Sequence, residues 1–347
     1  MYSKTEGHAQ KENTMEKLTL DTKWDKNFKL SDEVSHRKVT FTNHFGITLA
    51  ADMYVPAQHG EKLAAIAVAG PFGAVKEQAS GFYAHEMAKR GYLTIAFDPS
   101  FTGESGGQPR YMNSPDINTE DFQSAVDFLS NLPEVDAEKI GIIGICGWGG
   151  WALNVAGIDT RIKATAVMTM YDMARVTNKG YFDGADNEEA RYQARLATNK
   201  ARTELFAAAQ ESGVYPTVGG LPGDRPEDPE FFGQYWDYYK TERGYHPRSL
   251  NSNMGWANTT STSLMNTKLF AYANEIRNAV LIVHGEKAHS RYMGETAYND
   301  MIKGSKYTSN KELLIVPDAT HCDLYDGGKG NFIPWEKLQS FFETNLK

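Results

Sequence analysis

The chain has 347 residues, 41% of them hydrophobic and 23% charged, with a net charge of −8. That length can bury a large core, and the apolar fraction is too high for a disordered chain. The acidic balance, without any basic stripe, excludes a nucleic-acid surface and disfavours binding to an anionic membrane.

Two cysteines, Cys146 and Cys322, rule out a disulfide framework and a four-cysteine zinc site. No metal or organic cofactor is implied. The uncharged run 140–158 is long enough to span a membrane, but it holds six glycines and is flanked by Lys139 and Asp159 inside a globular pattern. The first residues, MYSKTEGHAQKENTMEK, carry no apolar signal segment, so the expectation is a cytoplasmic protein in a reducing compartment.

Residues 1–35 are polar and aperiodic and read as an N-terminal arm. Residues 36–43 and 47–56 alternate in polarity around Gly46, the pattern of an antiparallel hairpin. The texture then changes. Apolar runs at 63–70, 92–98, 139–146 and 162–171 alternate with helical periodicity at 76–91, 119–132 and 150–157. The same alternation resumes with a strand at 279–285, a helix at 290–304, a strand at 311–317 and a helix at 334–346. The expectation is an α/β fold: a mostly parallel twisted sheet with helices on both faces.

Between residues 173 and 275 the alternation breaks. The stretch has a helical patch at 187–210, a Pro/Gly-rich part at 215–229 and the aromatic run FFGQYWDYY at 231–239. About a hundred residues is too long for a loop, so it reads as a helical cap inserted between core segments 36–172 and 276–347.

Chemistry concentrates at Gly144-Ile145-Cys146-Gly147-Trp148-Gly149-Gly150, after a buried strand and at a helix start. That is the setting of a nucleophile elbow, in which a tight turn presents the nucleophile and a helix N-terminus favours negative charge on it. The alternative is a cysteine packed as a small hydrophobe. Ser105 in Gly103-Glu104-Ser105-Gly106-Gly107 fits the serine version of the pattern, but no helix follows it, so it reads as a turn. His321, just after the last strand, is the candidate base, and with Cys146 it would form a thiolate–imidazolium pair.

These residues, with GPFGAVKEQ (70–78), FDPSFTGESGGQPR (97–110), TMYDMARV (169–176), GYHPR (244–248) and HGEKAHSR (284–291), resemble the α/β-hydrolase superfamily. The chain is similar to the dienelactone hydrolase group, whose elbow carries Cys, and more closely to a bacterial and fungal branch that includes fungal polyketide transferases. The resemblance implies an acyl-enzyme mechanism. Its oxyanion would be held by the N–H groups of Gly147 and Phe72, since Pro71 has none. The family's usual acid slot holds Ala288 here, leaving Glu286 and Asp172 as equal alternatives for the third member. Trp148 stands where the elbow usually has a small residue, and is expected to line the pocket with Tyr235 and Trp236. His289 is read as a helix-start residue, and a Cys146–Cys322 redox pair as a minor alternative.

Three readings follow: a hydrolase of an ester, lactone or thioester; an acyltransferase passing the acyl group to an alcohol or amine; and a non-catalytic hydrolase-fold binding protein. A peptidase is less favoured, because amide cleavage demands more leaving-group protonation than a site without its usual acid offers. The expected partner is a small-molecule acyl substrate, with no nucleic acid and no membrane, and a homo-oligomer is compatible with the chain.

Overall fold

The computed structural model describes residues 16–347. The chain runs β1 (Val34–Thr42), β2 (Thr48–Pro56), β3 (Leu63–Ala69), α1 (Ala79–Lys89), β4 (Leu93–Phe97), α2 (Pro115–Ser130), β5 (Val135–Ile145), α3 (Gly147–Ala156) and β6 (Ile162–Met168). It continues through α4 (Met173–Lys179), α5 (Glu188–Ser212), β7 (Thr217–Gly219), α6 (Glu230–Tyr239) and β8 (Gly255–Ala257). It closes with β9 (Ala279–Gly285), α7 (Arg291–Ile302), β10 (Lys311–Val316), α8 (Asp323–Asp326) and α9 (Trp335–Leu346).

Eight strands form one sheet in the order β1-β2-β4-β3-β5-β6-β9-β10. β4, β3, β5, β6, β9 and β10 are parallel neighbours, and the β1–β2 hairpin adds to β4 antiparallel. Central strands must be apolar on both faces, and β3 and β9 are buried at every residue. Alternate residues feed opposite sides. Ile66 and Val68 of β3 join a cluster with α1 and α9, while Ala65, Ala67 and Ala69 join one with α2, α3 and α7.

Three expectations need correction. The arm is not a free tail over residues 16–33: Lys26 is buried against Asp52, and Phe28 packs on Tyr54, Phe82 and His85. Residues 1–15 lie outside the described residues. α2 begins at Pro115 rather than near Thr119, because Ser114 caps it by accepting the Ile117 N–H. The stretch between β6 and β9 also contains two short strands, β7 and β8, paired antiparallel. No helix among the described residues is long and apolar enough to cross a membrane.

Candidate active site

Cys146 sits between β5 and α3 with φ 56° and ψ −125°, a backbone conformation that costs energy for any residue but glycine. The turn is fixed on both sides: the Cys146 N–H donates to Met168 O, and its carbonyl accepts from Gly149 and Tyr171 N–H, each at 2.9 Å. Crowding explains the surrounding glycines. A Cβ on Gly144 would stand 2.6 Å from that of Ala152, one on Gly149 2.7 Å from that of Met170, and one on Gly150 2.5 Å from Tyr171 O. The residue between them has space on the other side. Trp148 therefore does not line the pocket as expected. It lies in the core beneath the elbow, against Phe97, Phe122 and Trp151.

The loop after β3 brings Phe72 to the thiol. Burial raises the Cys146 pKa above its ordinary value, and hydrogen bonds from Tyr325, the Phe72 and Gly147 N–H groups and Tyr235 pull against that rise. The two residues expected to hold an oxyanion lie close together beside the thiol: a Cβ on Gly147 would stand 2.7 Å from that of Phe72. Phe72 is fixed by its ring, which stacks between Trp151 (5.7 Å) and Trp256 (4.0 Å), and by Asn251 Nδ2, which donates to its carbonyl at 2.8 Å.

His321, wholly buried, lies between β10 and α8. Its Nδ1 faces two hydroxyls, Ser290 Oγ at 2.7 Å and Thr169 Oγ1 at 2.9 Å, and its Nε2 faces the Tyr325 hydroxyl at 3.0 Å. Neither expected carboxylate is its partner. Asp172 caps α4, accepting from the Arg175 N–H at 2.9 Å, and Glu286 accepts from the Asp318 N–H at 3.0 Å on the exposed side of its loop. Burial, with His289 and His284 beside it, pushes the His321 pKa well below the usual imidazole range. Both shifts favour the neutral thiol and the neutral imidazole over the thiolate–imidazolium pair expected from the residue types alone.

The thiol opens onto a cavity of about 180 Å³. Among its walls are Phe72, Tyr171, Leu221, Tyr235, Trp256 and Tyr325, and no charged side chain among the described residues lines it. Trp236, expected there, points away, with its indole N–H directed at the Pro222 and Gly223 carbonyls. His289 turns its Nε2 to the Tyr171 hydroxyl and stacks on Phe231 at 4.1 Å, so it is a wall of the aromatic shell and not a free helix-start side chain. Ser105 is a turn residue: its hydroxyl donates to Asp98 O at 2.6 Å and accepts from Ala50 N–H at 2.8 Å. Cys322 is a buried free thiol.

The sequence pattern of the S15 family, described as X-Pro dipeptidyl-peptidase, matches residues 46–322. The chain belongs to the S15 family. Its full-length relatives include protein PA2218 of Pseudomonas aeruginosa, 51% identical over 334 residues, which span 95% of this chain and 86% of the relative. The crystal structure of that protein superposes with a TM-score of 0.87 at 50% identity over 95% of this chain and all of its own. Thiohydrolase aneE of Aspergillus aculeatus is 33% identical over 133 residues, 38% of this chain and 41% of that protein. The α/β hydrolase GrgF from Penicillium, 17% identical, shares the fold, with a TM-score of 0.69 over 90% of this chain and 99% of its own.

In this S15 chain one further cluster draws notice. The carboxylates of Glu77, Asp98 and Glu104 converge as metal ligands would. The Lys76 ammonium stands among them, at 2.6, 2.9 and 2.5 Å. Burial by itself would lower the Lys76 pKa, but Asp98, Glu77, Asp52 and Glu104 hold it well above the usual range. The cluster is a buried ion network with its cation built in. Sequence reasoning missed Thr169, Ser290, Tyr171 and Tyr325. The first three belong to quoted motifs, TMYDMARV and HGEKAHSR, and Tyr325 stands four residues beyond His321.

Proposed function

We propose that the chain is a cysteine acyl-transfer enzyme that hydrolyses a thioester or activated ester of a small uncharged acyl group. The observation that carries this reading is a thiol held at a strained elbow, at the head of a cavity that Phe72 also lines, with Phe72 packed close against Gly147. Attack by the Cys146 sulfur moves the carbonyl electron pair onto oxygen, where the two amides receive it. The thiol proton passes to His321, whose neutral Nε2 is the acceptor.

The missing carboxylate bears on the leaving group. An imidazolium at His321 would face hydroxyl dipoles alone, so leaving groups that need little protonation, such as thiols, suit the site best. That agrees with the relative named a thiohydrolase. Dipeptide release is disfavoured, because no carboxylate among the described residues lines the cavity to pair with a peptide's N-terminal ammonium. A cavity of about 180 Å³ holds the volume of roughly six waters, which suits a short acyl chain. The burial of His321 supports a second reading, transfer to an alcohol that enters through the acyl cavity.

The test is turnover of a hexanoyl thioester of N-acetylcysteamine, with and without added alcohol, by the wild type and Cys146→Ala. Free hexanoate from the wild type alone supports the hydrolase, and an ester product supports the transferase. Ligand binding without either product would favour a binding protein.

A further inference from the structure

The base and the nucleophile do not meet directly among the hydrogen bonds described. Among the described residues, the hydrogen-bond partners of the His321 ring are all hydroxyls: Ser290 and Thr169 at Nδ1, and Tyr325 at Nε2. The Tyr325 hydroxyl, 3.0 Å from Nε2, also lines the cavity onto which the Cys146 thiol opens, and Tyr325 counts among the groups that offset the burial of that thiol. Tyr235 lines that cavity too, but its hydroxyl goes on to Tyr171 at 3.1 Å and not to His321. Tyr325 therefore stands alone, among the described residues, as a wall of the Cys146 cavity whose hydroxyl is also hydrogen-bonded to the His321 ring.

Its position is built and held. Tyr325 is wholly buried on α8, with its ring packed edge-on by Tyr238 at 5.1 Å and Tyr239 at 6.2 Å. Arg243 pins that short helix, with paired bonds to Asp326 at 2.7 Å and one to the Cys322 carbonyl at 3.1 Å.

We infer that Tyr325 is a catalytic residue that shuttles protons between Cys146, His321 and the leaving group. The inference rests on the acyl-transfer reading above. In acylation the Cys146 S–H proton moves to Tyr325 Oη as the hydroxyl proton moves to His321 Nε2. The sulfur bonds to the carbonyl carbon, and the oxyanion forms on the two amides. As the tetrahedral species collapses, the bond to the leaving group breaks. Nε2 returns its proton to Tyr325 Oη, and the hydroxyl gives its own to the departing atom. Tyrosine and imidazole both end in the protonation state in which they began. Burial keeps the Tyr325 pKa well above the ordinary phenol value, which favours a concerted hand-over without a free phenolate. His321 Nδ1–H meanwhile donates to the Ser290 and Thr169 hydroxyls.

The experiment compares acylation of the wild type, Tyr325→Phe and Cys146→Ala by phenyl acetate and p-nitrophenyl acetate. Acylation is followed by intact-protein mass on quenched samples. The phenyl ester needs leaving-group protonation and the nitrophenyl ester hardly does. Tyr325→Phe should slow acylation by both esters, because the thiol proton loses its path to His321, and should cost about tenfold more on phenyl acetate than on the nitrophenyl ester. An equal loss on both esters, or none, overturns the relay, because a merely displaced site would slow both alike. Independently of any variant, acylation of the wild type by phenyl acetate in mixed light and heavy water should depend on isotope fraction with the upward-curving form of two protons in flight. A straight line overturns the proposal. Adduct formation on Cys146→Ala would instead overturn the underlying nucleophile assignment.

Discussion

His321 shows what burial does to a single residue. With Ser290 and Thr169 in place of a carboxylate, burial and the neighbouring His289 and His284 hold its pKa well below the usual imidazole range. If catalysis needs the neutral imidazole, a depressed pKa keeps that form present as the pH falls. The acid limb of kcat/KM on a p-nitrophenyl ester is therefore expected below pH 6.5, and a midpoint at or above 6.5 would contradict it. Ser290→Ala should lower kcat about tenfold, because Thr169 still receives Nδ1–H, whereas the double variant with Thr169→Val should lose about a hundredfold or more. The turn at Cys146 and the approach of Phe72 to it were legible, because a strand–turn–helix and a Gly-Pro turn are local chemistry. The partners of His321 were not. Thr169 leaves the end of β6 and Ser290 precedes α7, and only the parallel pairing of β6 with β9 brings those strand ends together.

The elbow settles why a tryptophan stands where a small residue was expected. Steric demand falls on Gly144, Gly149 and Gly150, whose missing Cβ atoms would strike Ala152, Met170 and Tyr171, while position 148 faces the core. Trp148→Ala is predicted to cost about 3–5 kcal/mol, read from the denaturant midpoint, as a large side chain leaves a packed aromatic cluster. Little change in stability would place Trp148 outside that cluster. The type and order of the long elements were readable from periodicity, because central strands are uniformly apolar and the helices amphipathic. Short elements were not: α8 has four residues, too few to show a period, although it carries Tyr325. The start of α2 moved because a Ser-Pro cap outweighs the apolar pattern that begins later.

Over the whole molecule, buried charge ties distant segments to the site. Lys76 binds Glu77, Asp98 and Glu104, and Arg248 reaches both Glu77 at 2.7 Å and Asp25 at 2.6 Å. One network thus joins the N-terminal segment, the loop carrying Phe72, the Ser105 turn and the segment before β8. Removing one partner of a buried ion cluster strands the others. Lys76→Met should therefore destabilise the fold by about 3–5 kcal/mol in denaturant titration at pH 7, and a change under about 1 kcal/mol would mean the carboxylates find other partners. The parallel sheet was legible from alternating strands and helices. This network was not, because its members lie as far apart in the chain as residues 25 and 248 and no local pattern links them.

The most direct test of the account is where the acyl group goes. The wild type mixed with p-nitrophenyl acetate, quenched early and mapped by peptide mass, should carry one acetyl group on the peptide containing Cys146, and Cys146→Ala should carry none. An acetyl group on the Ser105 peptide, or an unmodified Cys146 in folded protein that still turns the ester over, would contradict it.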